Sequence, residues 1–233
     1  MMPPPFSPPE ACPNRADDLN GLKSDIDQGI STIEAAIAGI KAITELVEQA
    51  KGLAITAKAT GDTNERSSLA DQFDALLLQI DALANDSTYA GTNLLQAAPD
   101  KLAVNFNEDG SSNLTISRID SSTGTGGINV AGAVGNIAAD TNIDAAITAV
   151  NSAITTLRTS AATLGSNASV LQTRINFTKD LVNTLGEGSG KLTLADLNEE
   201  SANLLALQTR QQLGINSLSL AAQSERSILA LFD

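Results

Sequence analysis

The chain has 233 residues, with no histidine, no tryptophan and a single cysteine, Cys12. Without histidine there is no Ser-His-Asp triad, no Cys-His dyad, no His-ligated zinc and no HExxH peptidase site. A lone cysteine makes neither an internal disulfide nor a metal cluster. Aromatic residues amount to 3%, too few to line a ligand pocket or fill a ring-rich globular core. Cations are also scarce: 14 Lys and Arg stand against 27 Asp and Glu, a net charge of −13. That balance excludes a nucleic-acid backbone as partner, because such partners need clustered cations. No apolar run reaches the roughly 18–20 residues that span a bilayer, so no membrane insertion is expected. The first 13 residues, MMPPPFSPPEACP, lack the cationic start and apolar stretch of a signal peptide. Export by the cleaved-signal route is therefore not expected. These absences point away from an enzyme, a metal site and a bound cofactor.

Aliphatic residues are plentiful. Apolar residues make up 42% of the chain, chiefly Ala, Leu and Ile, a composition that reads as long packed helices. The leader holds six of the seven prolines, which predicts polyproline II or disorder over residues 1–13. From Arg15 to about Thr60 the pattern is helical. Ile26, Ile30, Ile33, Ile37, Ile40, Ile43, Val47, Ala50, Ala54 and Ala57 form one stripe in steps of three and four. Gly21, Gly29, Gly39 and Gly52 lower its helix propensity but suit close helix packing. Gly61-Asp-Thr-Asn64 reads as a turn. A second helix, about Glu65 to Ala84, carries Leu69, Phe73, Leu76, Ile80 and Leu83 in the same rhythm.

Residues 97–139 change character. Lys101 to Phe106 and Leu114 to Ile119 alternate, and Asn107-Glu-Asp-Gly110 between them signals a hairpin, with Gly supplying positive φ. A Ser/Thr/Gly loop follows from Ser121 to Gly127. Asp140 then opens the strongest signal. Ile143, Ile147, Val150, Ile154, Leu157, Ala161, Leu164, Ala168, Leu171, Ile175, Thr178, Val182 and Leu185 keep an unbroken four-three seam. A helix over 141–185 would be roughly 65 Å long at 1.5 Å per residue. It needs partners of similar length, and 15–60 with 65–84 supply them as an antiparallel bundle. Gly186-Glu-Gly-Ser-Gly190 is expected to break this helix. The last segment, Leu194 to Phe232, reads as helix with a wider apolar face set among Gln, Asn, Ser and Ala. A helix with little charge and more than one sticky side packs against several neighbours, which makes it the candidate oligomerisation element.

Other motifs read as background. Gly124-x-Gly126-Gly127 lacks the Lys and the strand–turn–helix setting of a phosphate loop, and reads as a flexible loop. The sequons at Asn85, Asn113, Asn167 and Asn176 read as chance matches. Asp71, Asp74 and Asp81 alternate with the apolar stripe of the second helix and read as a solvated face. Cys12 has no histidine to activate it.

The tail, Asp196-Leu-Asn-Glu-Glu-Ser-Ala-Asn-Leu-Leu-Ala-Leu-Gln-Thr-Arg-Gln-Gln-Leu-Gly-Ile-Asn-Ser-Leu-Ser-Leu-Ala with Ser227-Ile-Leu-Ala-Leu-Phe232, resembles the C-terminal signature of bacterial flagellin. Leu164-Gly-Ser-Asn-Ala-Ser-Val-Leu-Gln-Thr-Arg-Ile-Asn-Phe177 resembles a rod helix of that family. Arg15-Ala-Asp-Asp-Leu-Asn-Gly-Leu22, the helix through Gly29 and Ile33, and Thr88-Tyr-Ala-Gly-Thr-Asn-Leu-Leu95 agree with its front half. The match spans about 14–96 and 140–233.

The resemblance implies a mainly α, elongated antiparallel helical rod, coiled-coil-like, with a small β-hairpin and loop insert. Its parts would be a disordered leader (1–13), a rod (14–96 with 140–192), an outer insert (97–139) and a C-terminal inner-tube helix (193–233). The function implied is that of a structural subunit of the extracellular flagellar filament, a homo-oligomer that serves motility and leaves the cell by type III export. Implied partners are an export chaperone of the FliS kind and the hook-associated and cap proteins. The residues expected to carry self-assembly and chaperone binding are Leu197, Leu204, Leu207, Gln208, Gln211, Ile215, Leu218, Ile228, Leu229 and Phe232. The expected rod core is Ile30, Ile37, Leu76, Ile80, Ile147, Ile154, Leu164, Leu171 and Ile175. The family has about 40–50 further residues ahead of Asn14, forming an inner N-terminal helix, where this chain has its proline-rich leader. A mis-assigned start or a frameshift would account for that leader, and a chain made this way is expected to fold as a rod but polymerise poorly. The stretch that innate receptors read in the family corresponds to Gln49-Ala-Lys-Gly-Leu53-Ala, which departs from the family pattern at Gln49 and Gly52. Receptor recognition is not implied. The rival readings are a hook–filament junction protein and a cell-surface binding module.

Overall fold

The structure, a computed structural model, describes residues 11–96, 101–133 and 139–229. It is mainly α-helical. In chain order it comprises α1 (Ala11–Ala59), α2 (Thr63–Asp86), β1 (Thr88–Tyr89), β2 (Thr92–Asn93), β3 (Lys101–Asn105), β4 (Asn113–Ser117) and α3 (Asp140–Leu229). The chain divides into two compact units. One covers residues 18–180; the other joins residues 1–17 with 181–233.

The larger unit is an antiparallel helical bundle. Lys58 meets Asp144 at 2.5 Å, Glu48 faces Arg158 at 3.8 Å, and Gly29 abuts Leu171. Residue numbers fall along α1 as they rise along α3, so these two helices run in opposite directions. The α1 stripe from Ile26 through Ile33, Ile40 and Ile43 to Ala57 is buried. So is the α3 seam at Ile143, Val150, Ile154, Leu157, Leu164, Leu171 and Ile175. Ile80 is fully buried, whereas Ile30, Ile37, Leu76 and Ile147 lie at the edge of the core and pack against it. On α2 the buried line is Ala70, Phe73, Leu77, Ile80 and Ala84, flanked by the half-buried Leu69, Leu76 and Leu83. Small Ala side chains thus take positions the leucine spacing alone does not reveal.

The helix ends are set by specific side chains. Asp62 is the N-cap of α2, its carboxylate accepting from Asn64 N at 2.7 Å and Glu65 N at 3.3 Å. Arg66 donates to the Thr60 carbonyl at 2.8 Å and to Asp140 at 2.7 Å, tying the α1–α2 turn to the start of α3. At the far end of α2, buried Asn93 donates from Nδ2 to the carbonyls of Ala84 and Asn85, both at 2.9 Å, and accepts from Leu95 N at 2.7 Å. These bonds satisfy helix-end carbonyls that have no intrahelical partner. Gly39 makes room for this end: a Cβ there would collide with Ser87 and with Leu95.

The insert lies on the bundle. β3 and β4 pair antiparallel, Lys101 opposite Ser117 and Asn105 opposite Asn113. Their connection, residues 106–112, is longer than a two-residue hairpin loop, and Gly110 within it takes φ +70°. Val104 and Ile116 point into the core, and the Arg174 guanidinium of α3 sits 4.8 Å from the Phe106 ring centroid. Beyond β4 the chain runs back along α2. Ile119 N and Ser121 N donate to the Leu94 and Leu95 carbonyls. Asp81 of α2 accepts from Thr123 N at 2.7 Å and Thr123 Oγ1 at 2.9 Å, and Asp74 accepts from Ala133 N at 2.5 Å. Ile128, Val130 and Ala133 are buried beneath this segment.

Three expectations are corrected. Of the leader expected to be non-helical, residues 1–10 lie outside the described residues, whereas Ala11–Pro13 belong to α1, since in the first turn the missing N–H of Pro13 has no intrahelical acceptor to lose. Helix α3 continues through 186–190. Three glycines cost about 1 kcal/mol each against alanine, yet extending an existing helix across them avoids a second costly nucleation. Asp74 and Asp81 are half-buried anchors of the 119–133 segment and not part of a solvated face; Asp71 remains exposed. The Ser/Thr/Gly loop is accordingly built onto α2.

Candidate interaction surface

The C-terminal half of α3 is unlike the rest. From Thr193 to Arg226 every residue is exposed. Nine of them are large aliphatics, from Leu204 at 52% to Leu218 at 75% accessible: Leu194, Leu197, Leu204, Leu205, Leu207, Leu213, Ile215, Leu218 and Leu220. Water-exposed helices normally carry charge, but between residues 201 and 224 the sole charged side chain is Arg210. A surface of this kind is costly in water.

The pattern has two faces. At about 100° per residue, Leu197, Leu204, Leu207, Ile215 and Leu218 share one side of the helix, with Gln208 and Gln211 among them. Leu194, Leu205, Leu213 and Leu220 gather on another, roughly 140° away. The first face contains the residues expected from sequence. Leu194, Leu205, Leu213 and Leu220 were outside that expectation; their 11-, 8- and 7-residue spacing in the sequence is the signal that finds them. Ile228 and Leu229 fall in the last turn of α3, and Phe232 lies outside the described residues.

No group of three metal-ligating side chains occurs among the described residues. Among them, too, no helix is long and apolar enough to cross a membrane. In the larger unit Lys58, Arg66 and Asp140 tie helices, Asp62 caps one, and Asp74 and Asp81 anchor the 119–133 segment. What the exposed segment can do is bury apolar area against another chain, at about 25 cal/mol per Å².

Comparison with known proteins gives a consistent result. Residues 12–99 match the model of the bacterial flagellin N-terminal helical region, and residues 147–232 that of the C-terminal helical region. Flagellin FljK of Caulobacter vibrioides is 35% identical over 218 residues, covering 93% of this chain and 78% of that protein. A flagellin of Brucella melitensis is 32% identical over 212 residues, covering 88% and 75% respectively. The crystal structure of Bacillus cereus flagellin superposes with a TM-score of 0.57 over 66% of this chain and 88% of that one, at 20% identity. That last likeness is one of fold.

Proposed function

The chain belongs to the bacterial flagellin family, and from that premise we propose that residues 193–226 are the element by which it joins its neighbours in a filament. It is a structural subunit of the bacterial flagellar filament and assembles with copies of itself; it is not an enzyme. The observation that supports the assignment of this segment is its uninterrupted exposure, with nine large aliphatic side chains facing water. Two apolar faces on one helix serve two partners, as a polymer requires and a closed dimer does not. Leu197, Leu204, Leu207, Gln208, Gln211, Ile215 and Leu218 form the first face. Each contact is weak alone and repeats along the polymer. Ordering a helix that is marginal by itself offsets part of the gain.

On this reading the larger unit is the rod of the subunit and the 97–139 insert its outward part. The same apolar segment is the natural grip for an export chaperone before assembly, since left free it would aggregate. Hook-associated and cap proteins would meet the same faces at the filament's ends, and the assembled product lies outside the cell.

Sedimentation velocity of the full chain over a concentration series tests the assignment. The weight-average mass rises with concentration for the native chain and stays monomeric for Leu204→Asp with Leu218→Asp, at unchanged helicity of the larger unit. A doubly substituted chain that associates as the native one does contradicts it.

A further inference from the structure

We infer that residues 122–133 form a strap that opens and closes over α2 as one unit while the helices stay folded, with the carboxylates of Asp74 and Asp81 as its two latches. The two acids lie seven residues apart on α2, which places them on one face about 10.5 Å apart along the helix axis. Each holds one end of the returning segment. Asp81 takes both the amide and the hydroxyl of Thr123, at 2.7 and 2.9 Å. Asp74 takes the amide of Ala133, at 2.5 Å.

Between the latches the segment is largely self-contained. Gly127 N donates to the Gly124 carbonyl, Ile128 N to Ser122, and Val130 N to Thr123. Ser122 N is held by the Asp120 carboxylate at 2.9 Å. The backbone is committed to this shape: Gly126 takes φ +114°, Asn129 takes φ +53°, and a Cβ at Gly127 would collide with the Ser122 carbonyl. Ile119 N and Ser121 N donate to the Leu94 and Leu95 carbonyls and fix the segment's near end, whereas, among the described residues, the backbone bonds of residues 122–133 stay within it, and the carboxylates of Asp74 and Asp81 tie that part to the helix. Buried apolar contact comes from Ile128, Val130 and Ala133. The helices of the same unit are tied to one another by the much longer Ile, Leu and Ala seams. A self-bonded segment tied to α2 by two carboxylates, and to the shared core by Ile128, Val130 and Ala133, has far less apolar contact than the helices, and segments of that kind open without global unfolding.

Hydrogen–deuterium exchange on the full chain, native and Asp81→Ala, reads the strap directly. A charge-assisted hydrogen bond lost at a half-buried site changes an opening equilibrium about ten- to hundredfold. The inference expects protection at Thr123, Ile128 and Val130 to fall by that factor in Asp81→Ala, with protection across Phe73–Ile80 and Val150–Leu171 unchanged. Asp81→Asn, which keeps one acceptor oxygen for the Thr123 amide, recovers part of the loss. Equal loss in strap and helices, or failure of Asp81→Ala to fold, shows one cooperative unit and overturns the inference. Unchanged protection in the strap overturns the latch. Thr123→Val removes just the hydroxyl bond and reads the same distinction in a milder variant.

Discussion

Single residues decide several joints of this molecule, and most of them concern backbone satisfaction. Asn93 is buried, and its amide closes the end of α2. Replacing it by Ala removes the donor to the Ala84 carbonyl and the acceptor of the Leu95 N–H, while the Asn85 carbonyl keeps the Thr88 hydroxyl; the expected cost is about 2–3 kcal/mol, measured by urea unfolding of the full chain. Ala90 follows a different logic. The pairing of Tyr89 with Thr92 leaves Ala90 and Gly91 as a two-residue loop, with φ of +48° and +81°. An L-residue with a Cβ pays about 1 kcal/mol in that region, and Asn or Gly fits it better. Ala90→Asn should therefore stabilise by about 0.5–1 kcal/mol in the same assay. Asp109 adds a titration. The Ser111 amide, followed by the Ser111 side chain, hydrogen-bonds its carboxylate and lowers its pKa below the ordinary 3.8. A lowered carboxylate favours the folded turn above its ordinary pKa, and that contribution disappears as pH falls through the folded value. The Ser111 amide resonance should therefore titrate with a midpoint under 3.8; a midpoint at or above it contradicts the contact.

Among the elements, the long seams were the legible part. Ile143, Val150, Leu157, Leu164 and Leu171 recur at seven-residue intervals, and each is buried; nothing but a helix in a bundle places them on one side. The α1 isoleucines were legible for the same reason. The failures came where local propensity and helix continuation disagree. Pro13 and the glycines of 186–190 are individually poor in a helix, but their cost is small beside that of ending one helix and nucleating another. The three glycines also have open space where a Cβ would sit. Gly186→Ala, Gly188→Ala and Gly190→Ala together should then strengthen α3 by about 2–3 kcal/mol in local helix propensity, seen as slower amide exchange over 186–190. Gly39 belongs to the opposite class, and Gly39→Ala should destabilise because Ser87 and Leu95 occupy the space. The roles of Asp74 and Asp81 were not legible, since their partners are backbone amides 59 and 42 residues away and a backbone amide leaves no mark on composition or spacing.

The whole molecule combines two kinds of surface. Its larger unit has a continuous core from Ile26 to Ile175 and needs no partner to hide its seams. Residues 193–226 have no such cover. The sequence made one apolar face of that segment visible through Leu197, Leu204, Ile215 and Leu218; Leu194, Leu205, Leu213 and Leu220 went unread because their 11-, 8- and 7-residue steps keep no single repeat. On the proposed reading, two apolar faces on a stretch whose sole charge between residues 201 and 224 is Arg210 let a molecule of net charge −13 approach its own kind. Repulsion between copies follows from the acid excess of the whole chain, 27 Asp and Glu against 14 Lys and Arg. Self-association should accordingly strengthen with added salt, which screens that repulsion and leaves apolar burial intact; light scattering at fixed protein concentration across a salt series checks this.

The most direct measurement is amide exchange across residues 193–226 of the native chain, as a function of protein concentration. Copies that bury these faces against one another should show little protection when dilute and rising protection as they associate. Strong protection that is already present at the lowest concentration, or none in the associated state, would contradict the account.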